Sequence, residues 1–336
     1  MTGGSRAALL ALLADGELHS GPSLAGRLGT TRAAVWKLVA ELRRLGVDVV
    51  SEDRRGYRLR HACELLEARR ILAAAAGTGE ALPGDLEVLF SIDSTNDYLY
   101  TSQAVRAGGP RIVFAEIQRA GRGRRGRSWL APFGSGLTFS IGWTYPELPA
   151  DLSALSLAMG VQVADALREA GAAETMLKWP NDIVWRHRKV GGLLIQLKLE
   201  AGGAASVVVG LGLNVALPAD ARQSLAASGA APVADLREAC GDHPPGRNAL
   251  AGRLAAALCA GLDQFGREGF APFATRFAEL DSLAGAQVRV TQATGSVEGR
   301  ALGADRDGAL RVEVGARVER FLAGDVTLRP AAGAPA

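Results

Sequence analysis

The residue types best suited to chemistry are concentrated in one run, Gln118-Arg119-Ala120-Gly121-Arg122-Gly123-Arg124-Arg125-Gly126-Arg127-Ser128-Trp129. Glycines let a backbone approach a ligand and expose its amides, and guanidinium forks grip carboxylate or phosphate oxygens in pairs. The run contains the letters of a G-x-G-x-x-G fingerprint. A dinucleotide fold, however, needs a helix to open at those glycines, and Ser128-Trp129-Leu130-Ala131-Pro132-Phe133-Gly134 follows instead. No G-x-x-x-x-G-K-[ST] occurs, so a P-loop is absent. Taken alone, the run also suits a disordered basic loop or a nucleic-acid patch.

Lysine usage sharpens the reading. Of the 38 Lys and Arg residues only Lys37, Lys178, Lys189 and Lys198 are lysine, so a lysine marks a place where a compact ammonium is wanted. Two of them fall in Lys178-Trp179-Pro180-Asn181-Asp182 and Arg188-Lys189-Val190-Gly191-Gly192-Leu193. Asparagine is equally sparse, and three of its occurrences sit in polar islands: Asp93-Ser94-Thr95-Asn96, Pro180-Asn181-Asp182 and Gly210-Leu211-Gly212-Leu213-Asn214. Each island has a structural alternative: Ser94 as the N-cap of a helix over Asn96–Val105, Pro180–Asp182 as a turn, and Asn214 as a strand-end loop. Together they supply an arginine–glycine loop, an ammonium between strands, Asp and Asn oxygens suited to Mg²⁺, and a Ser-Thr pair beside Gln118 for a polar ligand. That equipment suits the joining of two anions, such as a carboxylate and the α-phosphate of ATP. Cations and a hard metal then stabilise the charge that grows in the transition state, and no protein nucleophile is needed.

Such a site needs elements to hold it. A chain of 336 residues suggests two domains with room for a small third, and 48% hydrophobic with 22% charged residues describes an ordinary folded protein. The net charge of +3 names no partner, but residues 1–62 hold ten Lys/Arg against six Asp/Glu. In that segment Ala7–Leu13, Gly21–Leu28 and Thr31–Leu45 read as helices, with Thr31 as N-cap and Gly46 as stop. Val47–Val50 and Tyr57–Arg60 read as a basic hairpin. Three helices and a hairpin spell a winged helix–turn–helix, with Thr31, Arg32, Ala33, Trp36 and Lys37 on the reading helix and Arg54 and Arg55 on the wing. From Glu64 to Leu280 strands are expected at 86–92, 112–118, 137–143, 183–185, 190–199 and 207–215. Helices are expected over 152–167 and behind Asn248 as N-cap, and 217–248 reads as loop-rich and mobile. Short strands at 288–291, 310–314 and 326–328 give the tail the look of a small SH3-like barrel. Cys63, Cys240 and Cys259 form no C-x-x-C and their number is odd, so neither a disulfide framework nor a zinc site is expected and a reducing cytoplasm fits. Ala7–Ala14 is read as the first helix of a domain rather than a signal-peptide core, and no stretch has the roughly 20 strongly apolar residues of a membrane span.

The segments Gly121–Trp129, Lys178–Asp182, Lys189–Leu194 and Gly210–Asn214 resemble, in that order and at similar separations, those of the biotin–protein ligases. With Leu18–Gly21 and Arg32–Val35 the whole chain resembles the bifunctional ligases that also repress biotin genes. The resemblance implies an α+β protein of three domains. These are a winged helix–turn–helix over 1–62, a mixed α/β ligase domain of the class II synthetase/biotin ligase type over 64–280, and an SH3-like β-barrel over 282–330. It implies that biotin and ATP form biotinyl-5′-adenylate, and that a lysine of the biotin carboxyl carrier protein of acetyl-CoA carboxylase then takes the biotinyl group. Biotin would be held by Ser94, Thr95, Asn96, Gln118, Gly121, Arg122, Arg124, Lys189 and Gly192. ATP would meet Arg122, Arg124, Arg127, Trp129, Lys178, Asn181 and Asn214, with Mg²⁺ on Asp182 and Asn214. Lys189 and Arg124 would be the catalytic pair. Operator DNA and, with ligand bound, a second copy of the chain are the remaining partners. Two competing readings are a biotin sensor without turnover, which intact Lys189 and Asp182 oppose, and a lipoate ligase, which the arginine–glycine loop and the wing oppose. Arg119, where the family commonly has a small polar residue, and the Ala/Pro-rich stretch 224–245 depart from the pattern.

Overall fold

The computed structural model describes residues 3–53, 55–79, 82, 85–101, 110–199, 204–227, 231–241, 243–292, 295–322 and 327–330. The chain opens with α1 (Gly3–Leu13), α2 (Gly21–Arg27) and α3 (Arg32–Arg44). Ser20 Oγ caps α2 by accepting from the Ser23 amide, and Thr31 Oγ1 caps α3 by accepting from that of Ala34. Val35, Val39 and Leu42 turn one face of α3 into the core, which leaves Arg32, Trp36 and Lys37 exposed on the other. Gly46, at φ +83°, ends the helix in the left-handed region that a glycine enters freely. The wing is β1 (Val49–Glu52) paired antiparallel with β2 (Gly56–Leu59), Val49 opposite Leu59. It starts two residues later than the sequence pattern suggests, because Val47 is buried and spends its amide on the Leu42 carbonyl.

The central part runs α4 (Ala68–Ala76), β3 (Asp85–Ile92), α5 (Thr95–Thr101), β4 (Arg111–Gln118), β5 (Gly136–Tyr145), α6 (Leu155–Glu169), β6 (Thr175–Lys178), β7 (Asp182–Trp185), β8 (Arg188–Leu199), β9 (Ala205–Asn214), α7 (Ala219–Ala227), α8 (Leu236–Ala239), α9 (Arg247–Glu268) and α10 (Ala271–Leu280). Seven strands form one sheet in the order β3-β4-β5-β9-β8-β7-β6, with β3 and β4 parallel and the other neighbours antiparallel. Ile112, Phe114, Val207 and Val209 join the main core with α6 and α9, whereas their neighbours Val113 and Val208 pack with Leu99 of α5. Alternation along a strand therefore places α5 on the opposite face of the sheet.

Three expectations are corrected here. Strand β6 has no counterpart in the sequence reading. The segment 217–248 is not simply loop, since it carries α7, α8 and a bridge from Val233 to Lys189. Asn248 lies inside α9, whose N-cap is Gly246, and it bonds to residues 64–67 instead.

The tail comprises β10 (Gln287–Gln292), β11 (Gly295–Ala304), β12 (Leu310–Val314), β13 (Arg317–Phe321) and β14 (Thr327–Pro330), an antiparallel sheet in the order β13-β12-β11-β10-β14. Among the described residues no pairing of β13 with β14 closes it into the expected barrel. The β11–β12 turn plugs onto the central domain, where the buried Trp179 indole donates to the Gly308 carbonyl at 2.9 Å. Gly308 has φ +80°, and a Cβ there would stand 2.7 Å from Ala154 Cα, so the turn admits only glycine.

Candidate active site and DNA-reading surface

Register brings the polar islands to one end of the central sheet. Ile92 and Gln118 lie side by side at the ends of β3 and β4, Gly136 faces Asn214, Gly191 faces Leu213, Gly192 faces Gly212, and Lys178 and Asp182 pair across the β6–β7 turn. Residues more than 120 positions apart thus line one cleft.

At the α5 side, Gln118 Oε1 accepts from the Thr95 amide (2.8 Å) and hydroxyl (3.1 Å), and Thr95 Oγ1 lies 2.7 Å from Ser140 Oγ. Ser94 Oγ accepts from the Asp97 amide at 3.3 Å, so the N-cap role expected of Ser94 is present. Asn96 is built into the floor beside Ser94 and Thr95. It is 4% exposed, its Oδ1 accepts from Ser140 Oγ at 2.6 Å, and its Nδ2 donates to the Leu194 carbonyl and to Gln196 Oε1. A Cβ at Gly210 would overlap Asn96 Oδ1, which explains that glycine of the Gly210–Asn214 motif.

The arginine–glycine loop folds back on itself. Trp129 donates its amide to the Gly121 carbonyl and Gly123 to that of Arg127, with Arg124–Gly126 as the tip and Arg125 left-handed at φ +57°. Two side chains moor it across the cleft: Arg122 on Asp97 at 2.7 Å and Arg124 on Asn181 Oδ1 at 3.2 Å. Arg119 pairs with Asp93 at 2.9 Å, and Arg127 is exposed. Asp93, from the first polar island, and Asp97, which no motif singled out, therefore anchor the loop beside Ser94–Asn96.

The Trp129 ring lies flat on β9, since a Cβ at Gly212 would come within 2.4 Å of it. The ring sits 5.7 Å from Lys189 Nζ, and its buried Nε1–H has no hydrogen-bond partner among the described residues. Lys189 Nζ is 2.5 Å from Asp182 Oδ1, and Gly192 keeps room for the ammonium, because a Cβ there would stand 3.2 Å from Nζ. Asn181 Nδ2 donates to the Leu193 carbonyl, fixing the β6–β7 turn against β8.

A strap formed by residues 231–235 covers the start of β8. The Lys189 amide donates to the Pro232 carbonyl at 2.7 Å, the Ala234 amide donates to the Lys189 carbonyl at 2.9 Å, and the buried Asn214 Nδ2 donates to the Ala234 carbonyl at 3.1 Å. Arg222 pairs with Asp235 and Glu238, and Arg188 with Glu238 at 2.7 Å. Burial raises the Glu238 carboxyl pKa, but hydrogen bonds from Arg188 and Arg222 outweigh it and leave it below the usual range.

The thiols offer no competing nucleophile. Burial pushes Cys63 up to about 11 and Cys259 up to about 12, and also raises Cys240, so none is a thiolate at neutral pH. The arrangement is instead a set of preplaced cations and donors around a cleft, fit to stabilise an anionic transition state.

On the winged helix, Thr31, Arg32, Ala33, Trp36 and Lys37 are all exposed along the start of α3, Trp36 at 61%. Arg55 stands exposed on the wing and pairs with Glu52 at 3.2 Å, while Arg54 lies outside the described residues.

Residues 88–214 match the Biotin/lipoate A/B protein ligase family, residues 5–58 an HTH domain, and residues 284–329 the Biotin protein ligase C terminal domain. The chain is 38% identical over 323 residues to the bifunctional ligase/repressor BirA of Escherichia coli, covering 96% of this chain and 97% of that protein. The chain belongs to the bifunctional ligase/repressor family. A family member from Bacillus subtilis is 29% identical over 94% of this chain and 95% of its own length. Among solved structures, the biotin protein ligase of Aquifex aeolicus in complex with biotin and ATP is 26% identical, with a TM-score of 0.62, covering 73% of this chain and 99% of that one. Among the described residues no helix is long and apolar enough to cross a membrane.

Proposed function

We propose that this family member is an ATP-dependent biotin–protein ligase and a biotin-responsive repressor. The observation that carries the reading is the gathering of Lys189, Asp182, Trp129 and the moored arginine–glycine loop at one sheet end of a chain related to a bifunctional ligase/repressor over 96% of its length. In the first step the biotin carboxylate attacks the α-phosphorus of ATP and pyrophosphate leaves. In the second the ε-amine of a carrier lysine attacks the acyl carbon of biotinyl-5′-adenylate and AMP leaves.

Ser94, Thr95, Gln118 and the Gly121 backbone hold the polar ring of biotin, with Asn96 keeping that floor rigid. Lys189, already desolvated on one side by Trp129, exchanges Asp182 for the incoming carboxylate and α-phosphate. Trp129 and the strap border the nucleotide, while Arg122, Arg124, Arg127, Lys178 and Asn181 face its phosphates. Loop closure excludes water and protects the mixed anhydride until the carrier arrives.

Asp182 is the carboxylate freed by that exchange, and Asn214, at the end of β9, is the second residue that would hold the metal. Among the described residues no group of three His, Cys, Asp or Glu gathers, at this site or elsewhere. One carboxylate fits Mg²⁺ that arrives with phosphates rather than one caged by protein. When bound, Mg²⁺ supplies neutralisation of the phosphate charge.

The partners are a biotin carboxyl carrier protein of acetyl-CoA carboxylase, operator DNA of biotin genes, and a second copy of the chain in the ligand-bound state. The compartment is the cytoplasm. For the dimer, β8 beyond Gly192 is paired only with β9 among the described residues, which leaves an edge with exposed Leu197 and Leu199. The decisive experiment is transfer of labelled biotin to a carrier domain in the presence of ATP, with pyrophosphate released by biotin and not by lipoate. Absence of both would overturn the ligase reading.

A further inference from the structure

We infer that Arg247, Asn248 and Glu116 form a clasp that fixes the winged helix rigidly to the ligase body, and so act as positioning residues for DNA reading. This rests on the repressor half of the reading above.

Residues 63–67, between the wing and α4, look like an ordinary linker in sequence, yet buried side chains hold their backbone groups. Arg247 donates to the Glu64 carbonyl at 2.6 Å, Asn248 Nδ2 to the Leu65 carbonyl at 2.7 Å, Leu66 gives its amide to Glu116 Oε1 at 2.5 Å, and Glu67 gives its amide to Asn248 Oδ1 at 2.8 Å. Arg247 and Glu116 pair at 2.9 Å with both side chains 6% exposed. Arg247 Nε also donates to the Gly136 carbonyl at 3.1 Å, at the cleft end of the sheet, whereas the hydrogen bonds of Asn248 and Glu116 go to residues 64–67. A buried ion pair costs desolvation and is weak evidence for stability, whereas breaking it is expensive, so it is best understood as fixing one geometry. The Cys63 side chain packs against Gly134, and Phe90, Ile117 and Phe133 of the ligase body join the apolar cluster of the winged helix itself. The linker is therefore a strut, not a tether.

In a two-fold dimer, a strut hands the spacing of the two reading helices to the protein, and only operators with matching half-site separation are bound well. A tether would accept many separations and bind each more weakly, because ordering the domain costs entropy at every site.

Two measurements test this on the full chain. First, ¹⁵N relaxation of winged-helix amides should give the same rotational correlation time as the ligase body. In Asn248→Ala, and in the paired Arg247→Met/Glu116→Gln change that leaves no buried charge unpaired, the winged helix should tumble faster. A winged helix that already tumbles independently in the wild type, or that stays locked in both variants, overturns the clasp. Second, against operators whose half-site spacing is varied, the wild type should discriminate sharply. The variants should lose roughly tenfold at the preferred spacing and flatten the profile, with biotin transfer unchanged in Asn248→Ala. Sharp discrimination retained by the variants also overturns it. If the wild type binds no operator at all, the repressor reading fails, and relaxation still decides the clasp.

Discussion

In the proposed reaction Lys189, paired at 2.5 Å with Asp182 in this structure, is the cation at which the two anions meet. Replacing it by alanine removes one preplaced cation, a loss worth about 10²–10³ in rate for a comparable donor. Lys189→Ala should therefore release pyrophosphate that much more slowly while keeping its thermal midpoint. Near-normal pyrophosphate release would remove Lys189 from the chemistry. Arg124 differs in kind, because its guanidinium holds the loop tip to Asn181 across the cleft. Arg124→Gly should still make adenylate but release it, so that biotin appears on bystander proteins mixed with the carrier. Labelling confined to the carrier would show that this mooring does not retain the intermediate.

At the scale of elements, the strap over Lys189 is held by charge. Protonating Glu238 removes its bonds to Arg188 and Arg222. Because its folded carboxyl pKa lies below its unfolded value of about 4.3, the stability it contributes is present above that value and is lost as pH falls through the folded pKa. Amide exchange at Lys189 and Ala234 should accelerate over that acidic window. Glu238→Gln should exchange fast at neutral pH and show no such window; an unchanged acid profile would remove Glu238 from the latch. The strap also shows where sequence reading stops. Thr31 capping α3, the 3.6-residue period of that helix, and the glycine–arginine and Lys178–Asp182 motifs are signals carried by neighbours in the chain, and they were legible. Pairing of Val233 with Lys189 joins distant residues through backbone groups, which every residue type possesses. Asn248 has the composition of an N-cap, but it bonds to Glu67 across 181 positions. Strand β6 is four residues long and runs straight into the Lys178 motif, too short to display a period.

For the whole molecule, the question is how a ligase site governs a DNA surface. Residues 1–62 carry ten Lys/Arg against six Asp/Glu, so one copy should bind DNA weakly and with little selectivity. Two copies related by a two-fold axis double the phosphate contacts and present two α3 helices to a pseudo-palindrome. On the proposed reading the adenylate is the signal: a ligand that contacts the arginine–glycine loop would favour one association state only through a differential affinity for it. Carrier lysines consume the adenylate, so repression should lift when unmodified carrier is abundant. Binding to the promoter of the biotin genes should therefore tighten on adding biotin with ATP and relax on adding carrier. The log–log salt slope should steepen by about 0.9 for each phosphate newly contacted. Arg54→Ala/Arg55→Ala should reduce that slope and the affinity while leaving biotin transfer intact, since among the described residues Arg55 pairs within the wing, with Glu52, and with no residue of the cleft. Promoter binding indifferent to biotin and ATP would uncouple the two activities and leave the winged helix without a metabolic input.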